Sequence, residues 1–305
     1  MPTQMSSALR GVVTPEMRRA AEREGRQAET LRERVASGTA VIPANPLHRR
    51  LDPVAIGLGL STKVNANIGT SEAFPDPGRE LAKLRAAIEA GADAVMDLST
   101  CSAAGIQSLR KAIVAESTVP VGTVPIYEAA VRAMEGGGSG GGPGRGSAGG
   151  STVDMSVDDL FAVIEAHARD GVDFITVHCG LTLESLERMR RQGRVADVVS
   201  RGGALLLGWM LHHGRENPLY EHFDRLLEIA AEYDVTLSLG DGMRPGSVAD
   251  ATDRAQVQEL ITLGELVDRA RAAGVQAMVE GPGHVPLDQV EMNVRLQKSL
   301  CRGAP

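Results

Sequence analysis

The chain has 305 residues, 43% of them hydrophobic and only 3% aromatic, enough to bury an aliphatic, alanine- and glycine-rich core. Its 32 Lys and Arg against 39 Asp and Glu give a net charge of −7, which argues against a broad nucleic-acid surface and for a small-molecule partner. No apolar run is long enough for a membrane span and no signal-peptide core opens the chain, so a cytoplasmic location is expected.

Residues 14–36, TPEMRRAAEREGRQAETLRERVA, read as one or two charged helices, with Thr14 as cap and Pro15 in the first turn. They belong to a small helical N-terminal segment, 1–58. From about residue 60 a rhythm begins in which a short apolar run ends in polar and glycine residues and a helical stretch follows. The runs are KVNANIGTS, ADAVMDLST, VPVGTVPIYEA, VDFITVHCG, VADVVSRGG, VTLSLGDGMRPG and VQAMVEGPGH. Seven strand–helix units in succession require parallel strands, as in a doubly wound sheet or a (β/α)8 barrel.

The strand ends favour the barrel. Asn67, Met96, Tyr127, His178, Ser200, Arg201, Asp241, Arg244, Glu280 and His284 fall at or just past seven successive ends, whereas a doubly wound sheet gathers its ligand groups at one switch point. No glycine-rich dinucleotide fingerprint opens the first helix. The expected fold is therefore α/β, a TIM-like (β/α)8 barrel over 59–305 with seven of eight strands visible. One segment interrupts it: residues 135–150, EGGGSGGGPGRGSAGG, read as a flexible surface insertion rather than a phosphate loop, since no GxxxxGK[ST] pattern is present.

The chemistry at these ends suits an anionic, hydroxyl-rich substrate. In SLGDGMRPGS, glycines let backbone amides approach an anion while Arg244 offers a forked donor and Asp241 an acceptor. VSRGG adds Ser200, Arg201 and free amides at a helix start. Glu280 and His284, four residues apart around Gly-Pro-Gly, can serve as an acid/base pair or as part of a metal site. Cys101, Cys179 and Cys301 are widely separated and form no CxxC pair.

The words KVNANIGTS, MDLST, VGTVPIYEA, VSRGG, SLGDGMRPGS and EGPGHVP closely resemble the phosphomethylpyrimidine synthases, the ThiC family of thiamine biosynthesis, from IPANPLHRRL to CRGAP. The resemblance implies a radical S-adenosylmethionine lyase that turns 5-aminoimidazole ribotide into 4-amino-5-hydroxymethyl-2-methylpyrimidine phosphate, with a [4Fe–4S] cluster and a mononuclear metal, zinc by family habit. It implies that Asn67, Met96, Tyr127, His178, Ser200, Arg201, Gly202, Asp241, Arg244 and Glu280 line the substrate pocket, with Asp241 and Glu280 catalytic and His284 a metal ligand. The family pattern continues past CRGAP with a last strand, a second metal-binding His and a CxxCxxxxC cluster loop. This chain stops at Pro305, so the expectation is that it binds ribotide but does not turn it over alone, as a homodimer or with a complementing C-terminal chain. MDLSTCSAAGIQ replaces the family's Gly-Gly-Asp after MDLST and sets Cys101 beside the pocket. Two other readings share these motifs: a paralogue making 5-hydroxybenzimidazole for the cobamide lower ligand, and a non-catalytic ribotide-binding fragment.

Overall fold

A computed structural model describes residues 2–136, 150–281 and 283–305, so most of the glycine-rich insertion expected at 135–150 lies outside the described residues. The N-terminal segment forms three helices, α1 (Gln4–Leu9), α2 (Pro15–Arg23) and α3 (Ala28–Ala36), and a two-stranded antiparallel ladder of β1 (Ala40–Val41) and β2 (Ile56–Gly57). Thr14 caps α2 by accepting the Met17 amide, and Pro15 sits in its first turn.

The remainder alternates β3 (Asn65–Ile68), α4 (Pro77–Glu89), β4 (Ala94–Asp97), α5 (Ala103–Glu116), β5 (Val121–Thr123), α6 (Pro125–Met134), α7 (Val157–Arg169) and β6 (Phe174–Val177). Four helices then intervene, α8 (Leu183–Gln192), α9 (Arg201–His213), α10 (Pro218–Glu221) and α11 (Phe223–Tyr233), before β7 (Thr236–Leu239), α12 (Arg254–Ala272), β8 (Ala277–Val279) and α13 (Val290–Leu300). Strands β3 to β8 pair in sequential order, every pair parallel. The central strands β4, β6 and β7 are buried at every position, as parallel strands covered on both faces are. Edge strand β3 leaves Asn65 and Asn67 exposed. Side-chain caps start the crossover helices: Asp76 for α4, Ser102 for α5, Ser156 for α7, Thr182 for α8 and Asp253 for α12, each worth about 1 kcal/mol.

The sheet among the described residues has six strands, not seven, and its two edges, β3 and β8, are not paired to each other. The expected strand VADVVSRGG is irregular backbone through Ser200, and its last three residues open α9. β6 pairs directly with β7, leaving no place between them, and the amides of Val195 and Ala196 are taken by the Asp250 carboxylate at 2.9 Å each instead of by a ladder. Val195 and Val199 face solvent, so the apolar run that mimics a strand is not a core run.

At the N-terminal ends of the strands the first 58 residues are bolted to the sheet. Asp173, just before β6, accepts from His48 Nδ1 (2.7 Å), Asn45 N (3.0 Å) and Val121 N (2.8 Å) and is fully buried. Gln276, just before β8, exchanges hydrogen bonds with the Ile42 backbone, and Asn45 Nδ2 donates to the carbonyls of Ala168 and Val172. Burial opposes charge on His48, but the Asp173 carboxylate outweighs it and holds the imidazole pKa above its ordinary value; both ring nitrogens meet acceptors, Asp173 and the Ser117 carbonyl. Asp173→Ala leaves a buried ring nitrogen of His48 and two amides without their acceptor at once. We expect a loss of about 3–5 kcal/mol, read as a fall of roughly 6–20 °C in the thermal midpoint; a midpoint within about 2 °C of wild type would contradict the role given to this junction.

Candidate active site at the strand ends

Where β7 ends, the chain leaves the ladder and its amides need other partners. Gly240 N still donates to Val177 O (2.9 Å), but Asp241 N donates to Glu280 Oε2 (3.1 Å), a carboxylate carried there by the end of β8. The Asp241 carboxyl accepts the Gly283 amide (3.1 Å) on one oxygen and the Arg244 guanidinium (3.1 Å) on the other. Residues from two neighbouring strand ends thus lock into one hydrogen-bonded unit.

His178, just past β6, lies buried against this unit. The space for its ring depends on two glycines: a Cβ on Gly202 would fall 2.3 Å from His178 Cε1, and one on Gly240 would fall 3.0 Å from Cδ2. A Cβ on Gly203 would likewise meet the Gly242 carbonyl oxygen at 2.4 Å, so the start of α9 can pack on the 240–244 loop only with glycine there. Burial lowers the His178 pKa to about 4, against the pull of Glu280, which leaves a neutral imidazole at pH 7. Burial also raises the Asp241 pKa to about 8, helped by the Glu280 carboxylate and opposed by the Gly283 amide and Arg244. Two buried nitrogens here, His178 Nδ1 and Arg244 Nε, have no hydrogen-bond partner within the protein.

Next to this unit, Tyr127 and Arg201 line a cavity of about 320 Å³ together with Ser71, Thr100 and Thr152. The Arg201 guanidinium stands 5.2 Å from the Tyr127 ring centroid, a cation–π distance. Burial raises the Tyr127 pKa while Arg201 and Arg244 oppose it. Asn67 and Met96 are register partners on β3 and β4; Asn67 is exposed and Met96 is packed in the core. Ser200 is buried and serves as the cap of α9, accepting the Gly203 amide (3.2 Å).

His284 is exposed, with φ of 61°, and its Nδ1 donates to the Pro245 carbonyl (2.8 Å), which leaves Nε2 as the nitrogen with a lone pair. It offers one metal donor; among the described residues no group of three His, Cys, Asp or Glu side chains is placed to hold a metal ion. The three cysteines are buried and separate, and burial raises the thiol pKa of Cys179, and that of Cys301 to about 11, the opposite of what a thiolate ligand needs. They do not fit an iron–sulfur cluster.

Comparison with known proteins gives this geometry its context. The sequence profile of the Radical SAM ThiC family matches residues 3–305. The chain belongs to that family. It is 61% identical to a phosphomethylpyrimidine synthase of Desulforamulus reducens and 60% identical to one of Moorella thermoacetica, in both cases over 99% of this chain and 67% of the relative. Among solved structures, a Xanthomonas albilineans dihydropteroate synthase aligns with a TM-score of 0.44 and 14% identity over 87% of this chain and 76% of that one. The part of the ThiC sequence matched here therefore contains the whole strand-end cluster. Two of its supports were not apparent from sequence motifs: Glu259 in the middle of α12, and Arg194 immediately before VADVVSRGG. The available signal for Glu259 was its spacing from Ala255 and Leu263, which puts a carboxyl on the buried stripe of the helix.

The raised Asp241 pKa has a measurable consequence. As the pH rises from 7 to 9 this group loses its proton and adds a negative charge beside Arg244, so affinity for sulfate, whose own charge is constant over that range, should fall. Asp241→Asn should flatten the profile. A wild-type sulfate affinity that is level across pH 7–9 would contradict the assignment.

Proposed function

We propose that this chain carries the substrate-binding core of a thiamine-pyrimidine synthase, which converts 5-aminoimidazole ribotide into 4-amino-5-hydroxymethyl-2-methylpyrimidine phosphate by radical S-adenosylmethionine chemistry. The observation that carries the proposal is the locked cluster of His178, Asp241, Arg244 and Glu280 at the C-terminal ends of adjacent parallel strands, in a chain 61% identical to a phosphomethylpyrimidine synthase. In this proposal Arg244 and Arg201 are the cations that meet the ribotide's phosphate and sugar oxygens, and the neutral imidazole of His178 and the phenol of Tyr127 are hydrogen-bonding groups for its uncharged atoms. Asp241 and Glu280 hold and move protons at the substrate. Asn67 and Met96 complete the wall on the β3–β4 side, and Gly202 leaves room for the imidazole. The name carried by the similar proteins favours the pyrimidine product over a benzimidazole one.

We extend the proposal to the fold: closure of the sheet into a TIM-like barrel. Its support is the outer edge of β8, where Val279 N donates to Pro305 O (2.8 Å), the place a further strand would occupy. A [4Fe–4S] cluster, when bound, supplies the electron that cleaves S-adenosylmethionine. Because the cysteines of these 305 residues do not fit it, the chain by itself is proposed to bind ribotide without turnover. His284 would contribute one nitrogen to a zinc site completed by other residues.

Titration calorimetry with 5-aminoimidazole ribotide tests the site. Arg244→Ala removes a charge-assisted hydrogen bond worth about 1.5–3 kcal/mol, so affinity should fall roughly ten-fold or more; unchanged binding would remove Arg244 from the site. Anaerobic incubation of the chain with iron, sulfide, reductant, S-adenosylmethionine and ribotide should yield no 5′-deoxyadenosine. Its formation together with the pyrimidine phosphate would overturn the proposal that the cluster is held elsewhere.

A further inference from the structure

Glu259 is out of place by ordinary rules. It lies in the middle of α12 on the stripe formed by Ala255, Leu263, Leu266 and Ala270, and it is 2% exposed. A carboxyl in such a position is costly unless its oxygens are used. One is: Glu259 Oε2 accepts the Met243 amide at 2.8 Å, and the Gly242 amide also faces this carboxyl. Its other oxygen, Oε1, is buried with no partner and packs against Gly242, where a Cβ would come within 3.0 Å of it. Met243 is held on its other side too, since Arg194 Nη2 donates to the Met243 carbonyl at 2.7 Å. Arg194 is itself fixed, its Nε and Nη2 both bonded to the Asp253 carboxylate (2.6 and 2.8 Å), and its side chain is fully buried.

We propose that Glu259 and Arg194 are positioning residues for the ligand site: they grip the N–H and the C=O of Met243 and thereby fix Asp241 and Arg244, two residues before and one after, in binding geometry. Neither side chain touches the ligand. The clamp acts where the chain needs it, because the 241–244 stretch has left the sheet and the amides of Asp241 and Met243 are met by side chains. Burial holds the Glu259 pKa well above the ordinary carboxylate range, and the oxygen that takes the Met243 amide is an acceptor that a glutamine can imitate. This inference rests on the proposed ribotide site, and its test separates the two.

Ribotide affinity is measured for wild type, Arg244→Ala, Glu259→Gln and Glu259→Leu, with hydrogen exchange of the Met243 amide followed by NMR. Glu259→Leu should bind about ten-fold more weakly, and Glu259→Gln, which keeps the acceptor, within about two-fold of wild type. A purely structural role would lower the thermal midpoint but leave the affinity of the folded protein unchanged. Wild-type affinity in Glu259→Leu, alongside a weakened Arg244→Ala, overturns the clamp and keeps the site; equal weakening in Gln and Leu overturns it as well, because the acceptor would then not be what matters. Unchanged binding in Arg244→Ala overturns the site, and the clamp is then decided by exchange alone. Slow exchange at Met243 in wild type and Glu259→Gln supports it even if Glu259→Leu does not fold, and exchange as fast as in open loops overturns it.

Discussion

Parallel pairing in sequential order forces the last residue of each strand onto the same rim, and at that rim the ladder runs out. Amides and carbonyls beyond β7 have no strand to join, yet much of the stretch is buried, so side chains from neighbouring elements must meet them. Glu280 from β8, Glu259 from α12 and Arg194 from the end of α8 do so. The residues that satisfy the loop are therefore drawn from different strand–helix units, and the polar cluster they build is a by-product of ending six strands in one place.

Desolvation then sets the character of that cluster. Burial pushes three of its groups toward their neutral forms: the His178 pKa falls to about 4, that of Asp241 rises to about 8, and that of Glu259 stands well above the ordinary carboxylate range. Arg244 sets a fork of donors among groups that donate and accept hydrogen bonds, an environment suited to an anionic, hydroxyl-bearing ligand. The opposite rim does different work. There Asp173 holds the His48 ring and the Asn45 amide, and Gln276 holds the Ile42 backbone, which fastens the N-terminal segment to the sheet. Function and anchorage occupy the two ends of the same strands, as in other parallel α/β folds.

Much of this was legible in the sequence because apolar runs stop abruptly. VDFITVHCG, VTLSLGDG and VQAMVEG each end on the residue that reaches the rim, and the glycines around them mark close backbone approach, as Gly202 and Gly203 confirm. VADVVSRGG failed by the same criterion: a β-branched run satisfies the pattern of a strand, but pattern does not report that β6 already pairs with β7 or that Asp250 takes the amides. Ser200 shows a related ambiguity, since Ser before an apolar helix is equally the signature of a cap, which is the contact it makes. Glu259 and Arg194 belong to no motif. Their importance arises from which backbone groups the fold leaves unpaired, a property of three-dimensional arrangement that spacing along the chain encodes only faintly.

The central claim is that these strand ends converge on one ligand site, and the imidazole of His178 reports on it directly. Its ring resonances, followed by NMR, should titrate near pH 4 in the free protein and shift on addition of 5-aminoimidazole ribotide, while those of His48, at the far ends of the strands, stay in place. Saturable ribotide binding that leaves the His178 resonances unmoved would contradict the account.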